Sequence, residues 1–129
     1  MSLSVGSVTM AIGGLHTAVG LGAFSDVWWN LAKAGIINSV GGSHDCSVDN
    51  LLNHATLWYT YSGLLMGTTG LAIYHLEQET DEELPLSISI SLVAAALSFV
   101  IFIPDSGGWL FLFPAYLAYK KRRRKEKKA

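Results

Sequence analysis

Eight of the nine basic residues of this chain lie between Lys120 and Lys128, directly behind a succession of long apolar stretches. No other feature constrains the fold as much. Runs of about 18 or more mostly apolar residues read as membrane-crossing helices. A block of Lys and Arg beside the last of them holds that end in the cytoplasm, because cationic segments are rarely translocated. Lys33 is the only other basic residue, so the formal net charge of -1 sums a basic tail and acidic loops that are separate in sequence. With 129 residues, 50% of them hydrophobic, the chain has one domain's worth of sequence. The expected fold is all-α, an integral membrane four-helix bundle with a short amphipathic helix in its first loop.

The apolar stretches predict spans at about 3–24, 51–74, 86–103 and 104–119. These make a membrane domain over 1–119, followed by a basic cytoplasmic tail over 120–129. Between the first two spans, residues 27–40 have amphipathic helical character, with Trp28 and Trp29 suited to the membrane–water boundary. An acidic connection from Glu77 to Glu83 ends at Pro85, and Pro104 to Gly108 has the composition of a tight turn. The fourth span is short: sixteen helical residues rise roughly 24 Å against a hydrocarbon core of ~30 Å, and Pro114 is expected to interrupt it. Flanking lysines and arginines can snorkel to make up the difference. Both termini are then cytoplasmic; three spans with an external N-terminus is the alternative. The first stretch lacks the preceding Lys or Arg of a cleavable signal and reads as a retained helix. Cys46 is the single cysteine, so no intramolecular disulfide forms.

In lipid, small residues mark where helix backbones approach. Gly6, Gly13 and Gly20 recur every seven residues, with His16 on or beside their face. In the second span His54, Trp58, Tyr61 and Leu65 form an aromatic stripe, while Gly63, Gly67 and Gly70 form a ridge of small residues. In the third, Ser87, Ser91, Ala95 and Ser98 align. Helix packing alone accounts for such stripes.

The four-span topology collects polar residues toward the non-cytoplasmic side: His16, Asp26, Asn30, Asn38, Asn53, His54, Asp105, Ser106 and Trp109. Ionisable groups at membrane depth are costly and face a cavity or one another. Three functions fit such a cluster. It can be the polar end of a pocket for a small apolar or amphipathic molecule, lipid-like or isoprenoid-like, with Trp58, Tyr61, Asn30, Asn38, Ser106 and Trp109 as ligand-binding candidates. It can be catalytic, with His16 and His54 working with Asp26 or Asp105 as acid and base for an isomerisation or cyclisation. Or it can hold helix ends together in a non-catalytic accessory subunit of a membrane complex. The expected partners are the lipid bilayer, an apolar ligand, and a second copy or another membrane protein. No phosphate-binding loop, nucleophile elbow or nucleic-acid motif is present, and no cofactor is implied. The four histidines lack metal-ligand spacing, and Cys46 stands alone beside His44. His75 and Glu77 are expected in headgroup water at the cytoplasmic end.

The basic tail reads as a topology anchor that lies against an anionic lipid surface. Its last five residues, Lys125 to Ala129, also fit the pattern of a cytoplasmic dilysine retrieval signal. That pattern would place a eukaryotic protein in the endoplasmic reticulum, whereas a bacterial one would occupy the plasma membrane.

Several of these segments together resemble an uncharacterised family of small four-helix integral membrane proteins. The resemblance rests on GGLHTAVGL (Gly13 to Leu21), Gly35-Ile36-Ile37-Asn38-Ser39, the aromatic and glycine-bearing stretch from Trp58 to Gly67, and Pro104-Asp105-Ser106-Gly107-Gly108-Trp109 followed by Pro114. Gly108, in place of a larger apolar residue, and the long lysine tail depart from that pattern. The resemblance implies the four-helix topology, singles out His16, Asn38, Ser106 and Trp109, and implies no activity.

Overall fold

A computed structural model describes residues 3–35, 47–80, 84–102 and 108–126. They form five α-helices and one 3-10 turn, with no strand among the described residues: α1 (Val5–Ala23), α2 (Ser25–Ala34), α3 (Val48–Glu79), α4 (Leu86–Phe102), η1 (Gly108–Phe111) and α5 (Leu112–Glu126). By length and composition, α1 is the one described helix that can cross a membrane. The four-span expectation meets an α3 that is longer but more polar, and α4 and α5 of only 17 and 15 residues.

Local chemistry sets several boundaries. Ser4 opens α1, its hydroxyl accepting the Ser7 N–H at 3.1 Å, and Ser47 opens α3 by accepting the Asn50 N–H at 3.3 Å. Asp26 and Lys33 sit in the first and last turns of α2, the ends at which the helix dipole favours each charge. Gly35 ends α2 at φ +92°, a backbone conformation that costs a residue with a Cβ.

The chain divides into two compact units. One comprises Met1–Ile12 and Met66–Ala129. Its core joins Val5, Ile73, Leu84, Leu92, Ala96, Phe111, Ala115 and Ala118, with α4 packed on η1 and α5. Here the start of α1 runs against the end of α3 with glycine on both sides. A Cβ on Gly6 would collide with the Tyr74 backbone and come 2.6 Å from the Gly70 carbonyl oxygen. One on Gly70 would collide with the Met10 backbone N–H.

The other unit is Gly13–Leu65. There α1 and α3 approach through Gly63, whose added Cβ would press on the Thr17 hydroxyl and lie 2.7 Å from the Thr17 nitrogen. Gly20 leaves room for Tyr59 and Thr60. Gly6, Gly13 and Gly20 of α1 thus meet α3 as their spacing indicates, whereas Gly14 and Gly22 face open space. Gly67, grouped with Gly63 and Gly70 by sequence, has open space where its Cβ would be.

Three readings change. Helix α4 buries Ser89, Leu92 and Ala96, while Ser87, Ser91 and Ser98 are exposed, so the aligned serines are not its packing face. Ser98 satisfies its hydroxyl on the Ala94 carbonyl four residues back. Pro114 does not interrupt a helix: it is the third residue of α5, in the first turn, where backbone N–H groups lack intrahelical acceptors anyway. Finally, α5 continues across Tyr119 and Lys120 to Glu126, so the first part of the basic segment is helical.

Candidate functional site

His16 lies on α1 between the turns carrying Gly13 and Gly20, where the close approach of α3 brings side chains onto its ring. Tyr59 stacks on the imidazole, with ring centres 4.0 Å apart and planes 18° from parallel. Phe24, the single residue between α1 and α2, meets Tyr59 edge-on at 5.7 Å. Ser62 Oγ is 3.2 Å from His16 Nε2. The Ser62 hydroxyl donates to the Tyr59 carbonyl at 2.7 Å, which leaves its oxygen lone pairs to accept from the imidazole N–H. The backbone of α3 therefore fixes the serine, and the serine fixes the tautomer of the histidine.

Ser62 follows Trp58 by four residues, so the two share a strip of the α3 surface. Trp58 is 67% exposed and meets Tyr61 edge-on at 6.1 Å. The stripe of His54, Trp58, Tyr61 and Leu65 thus turns away from the glycine contacts, with Trp58, Tyr61 and Leu65 exposed and His54 half-buried. A polar point at His16 and Ser62 borders an apolar aromatic platform.

The remaining candidates separate. Asp26 and Asn30 are exposed on α2, where Leu31 alone is buried and Lys33 lies over the Trp29 ring at 5.2 Å. Trp109 is exposed in η1 and belongs to the other unit. Asn38, Asp105 and Ser106, together with His44 and Cys46, lie outside the described residues. The rings and hydroxyl that meet His16 come from Tyr59 and Ser62, neither of which was singled out from sequence.

A second cluster gathers around Glu77. Glu77 is 1% exposed, not in headgroup water, and both its oxygens are engaged. Oε1 accepts from the Val5 N–H at 3.0 Å and from Lys121 Nζ at 2.8 Å. Oε2 accepts from the Gly6 N–H at 2.9 Å and from the Ser4 hydroxyl at 2.5 Å. Burial alone pushes the carboxyl up, but Lys121, Ser4 and the two N–H groups together hold it below its ordinary value. The first turn of α1, the end of α3 and the basic stretch of α5 are thereby tied at one carboxylate. The signal was a carboxylate three residues past an apolar stretch in a chain whose cations are gathered in one place.

Burial does not follow polarity strictly. Thr9, Thr56, Thr60, Ser89 and Glu77 are buried along with the apolar core, whereas Leu86, Ile90, Val93, Leu97, Val100 and Ile101 along α4 are exposed.

A family model described as a family of unknown function (DUF6463) matches residues 2–125. No curated protein and no solved structure matches the chain.

Proposed function

We propose, for a chain that belongs to the DUF6463 family of unknown function, a role as a multi-pass membrane protein that binds a small amphipathic molecule. In this reading α1, residues 51–74 of α3, α4, and η1 with the start of α5 cross the bilayer, and α2 lies at its non-cytoplasmic surface. Support comes from the exposed apolar surface of α4: a helix apolar on most sides and exposed over much of its surface favours an apolar solvent. The Glu77 cluster supports an even number of spans. It joins the start of α1 to the base of the cationic segment, and that segment belongs in the cytoplasm.

The observation that carries the binding reading is the His16–Ser62 pair beside Trp58. A half-buried polar point with a fixed tautomer can orient one polar group of a ligand, and the adjoining indole can cover its apolar body. Lipid-like and isoprenoid-like molecules have this two-part character. Binding is favoured over acid–base catalysis because a tyrosine and a serine, not a carboxylate, meet the imidazole.

The test is native mass spectrometry of detergent-purified protein, with identification of whatever small molecule co-purifies. A stoichiometric ligand that is lost in His16→Ala and in Trp58→Ala, both still folded, is the expected result. A ligand-free mass for the wild type, or retention unchanged in both variants, overturns the binding reading.

A further inference from the structure

At the His16–Ser62 pair the backbone of α3 decides where each proton stands. Ser62 has one hydroxyl proton and gives it to the Tyr59 carbonyl at 2.7 Å. Its oxygen, 3.2 Å from His16 Nε2, can then only accept, so the ring proton is on Nε2. The Tyr59 carbonyl also faces the imidazole and, having no proton, is likewise an acceptor. Nδ1 is left with a lone pair, and among the described residues none donates to it. The ring is half-buried and Nδ1 is not sealed in, so a ligand can reach that edge. Tyr59 stacks within 18° of parallel, its ring centre 4.0 Å away, so its phenol lies out of the plane in which the lone pair points.

We infer that the ligand is an apolar alcohol, whose hydroxyl donates to His16 Nδ1 while its chain lies along Trp58. The assignment rests on the binding reading given above and deepens it by naming the chemical class. Complementarity sets the other classes aside. An aldehyde, ketone, ester or ether oxygen carries only lone pairs and would face the lone pair of Nδ1. A carboxylate brings the same mismatch together with a charge. An ammonium donates, but among the described residues no carboxylate meets the imidazole to compensate it at membrane depth. A hydroxyl supplies the missing proton without charge. Trp58, 67% exposed and four residues before Ser62 on the same strip of α3, offers a surface for the hydrocarbon. Straight-chain and isoprenoid alcohols share this chemistry.

The experiment uses the full chain in phosphatidylcholine nanodiscs, with hexadecanol and farnesol as probes, each paired with its methyl ether. Methylation removes the donated proton but keeps the oxygen and the chain. Farnesoic acid is the anionic comparison. Bound probe is counted by native mass spectrometry at equal mole fractions in the bilayer. At least one alcohol should bind roughly tenfold more tightly than its ether, and the pair that does so identifies the apolar body. Trp58→Ala should weaken both members of that pair and leave their ratio unchanged. Ser62→Ala frees the ring proton to move to Nδ1, and should bring the ratio toward one. His16→Phe, which keeps a ring against Tyr59, should do the same. Equal binding of alcohol and ether by the wild type, tighter binding of farnesoic acid, or binding of neither alcohol overturns the inference. So does a preference that survives in both Ser62→Ala and His16→Phe. Probe binding that is indifferent to both His16→Phe and Trp58→Ala would instead overturn the binding reading itself.

Discussion

Glu77 and Lys121, 44 positions apart, share a hydrogen bond of 2.8 Å at which only 1% of the glutamate side chain and 13% of the lysine side chain meet solvent. The same carboxylate accepts the Val5 and Gly6 N–H groups at the start of α1. A side chain from another helix here does the work of a local N-cap. The strength of the arrangement lies in its saturation: every donor that approaches the carboxylate is matched.

Removing the carboxylate should be costly. Glu77→Ala removes the acceptor shared by Lys121, Ser4 and two N–H groups, and should lower stability by about 3–5 kcal/mol. Glu77→Gln keeps one acceptor oxygen for the α1 N–H groups and should lose less. Thermal unfolding in detergent, followed by far-ultraviolet circular dichroism, reads the difference. Equal losses in the two variants would mean that the charge, not the shape, matters.

Because its partners hold the Glu77 carboxyl below its ordinary value, the stabilisation it provides is fully present above the unfolded-state value. It is lost as pH falls through the lowered folded-state value. Stability should therefore be level from neutral pH down to the ordinary carboxylate range, and drop below it. Glu77→Gln should flatten the acid limb of a plot of unfolding temperature against pH.

The glycines should divide by what stands opposite them. Gly6→Ala, Gly63→Ala and Gly70→Ala each force a Cβ onto backbone atoms and should cost about 1–3 kcal/mol. Gly14→Ala and Gly67→Ala enter open space and should be neutral, or gain up to about 1 kcal/mol from helix propensity. Unfolding temperatures of the five variants check the division.

His16 and Tyr59 should be energetically coupled. A double-mutant cycle through His16→Ala and Tyr59→Ala should show a coupling of about 0.5–1.5 kcal/mol, as expected for stacked rings. Additive losses would mean that the stacking is incidental to packing around Gly20.

If α4 crosses a bilayer, a lysine at its exposed centre is expensive. Val93→Lys should reduce membrane integration by about 2.5–3.5 kcal/mol, measured as the inserted fraction of a glycosylation reporter. A soluble helix would accept the same change at no cost.

Legibility in the sequence followed the range of the interaction. The helices and the contacts of Gly6, Gly13 and Gly20 were readable because heptad spacing is a local property of one element. His16 was readable as inward-facing for the same reason. Its partners were not: Tyr59 and Ser62 differ little from neighbouring Trp58 and Tyr61 until the rotation of α3 against α1 is known. Glu77 was misread because a carboxylate beyond an apolar stretch resembles any solvated loop residue, and the donors that bury it come from 44 to 73 positions away. On α4, apolar residues surround the axis, so the sequence carries no preferred face, and the serine row was as plausible as the row that packs.

The carboxylate that closes the first turn of α1 also sets an order of assembly. Glu77 follows Val5 by 72 positions, so at ordinary synthesis rates of 5–20 residues/s the opening N–H groups of α1 wait roughly 4–15 s for their acceptor. Lys121 arrives later still, and until then that acceptor is an unneutralised charge. The nascent chain thus carries an open helix end, then an exposed anion, and is complete only when the last helix reaches its basic residues. A ribosome stalled between Glu77 and Lys121 would hold a recognisably unfinished protein, and quality-control machinery has that interval in which to act on it.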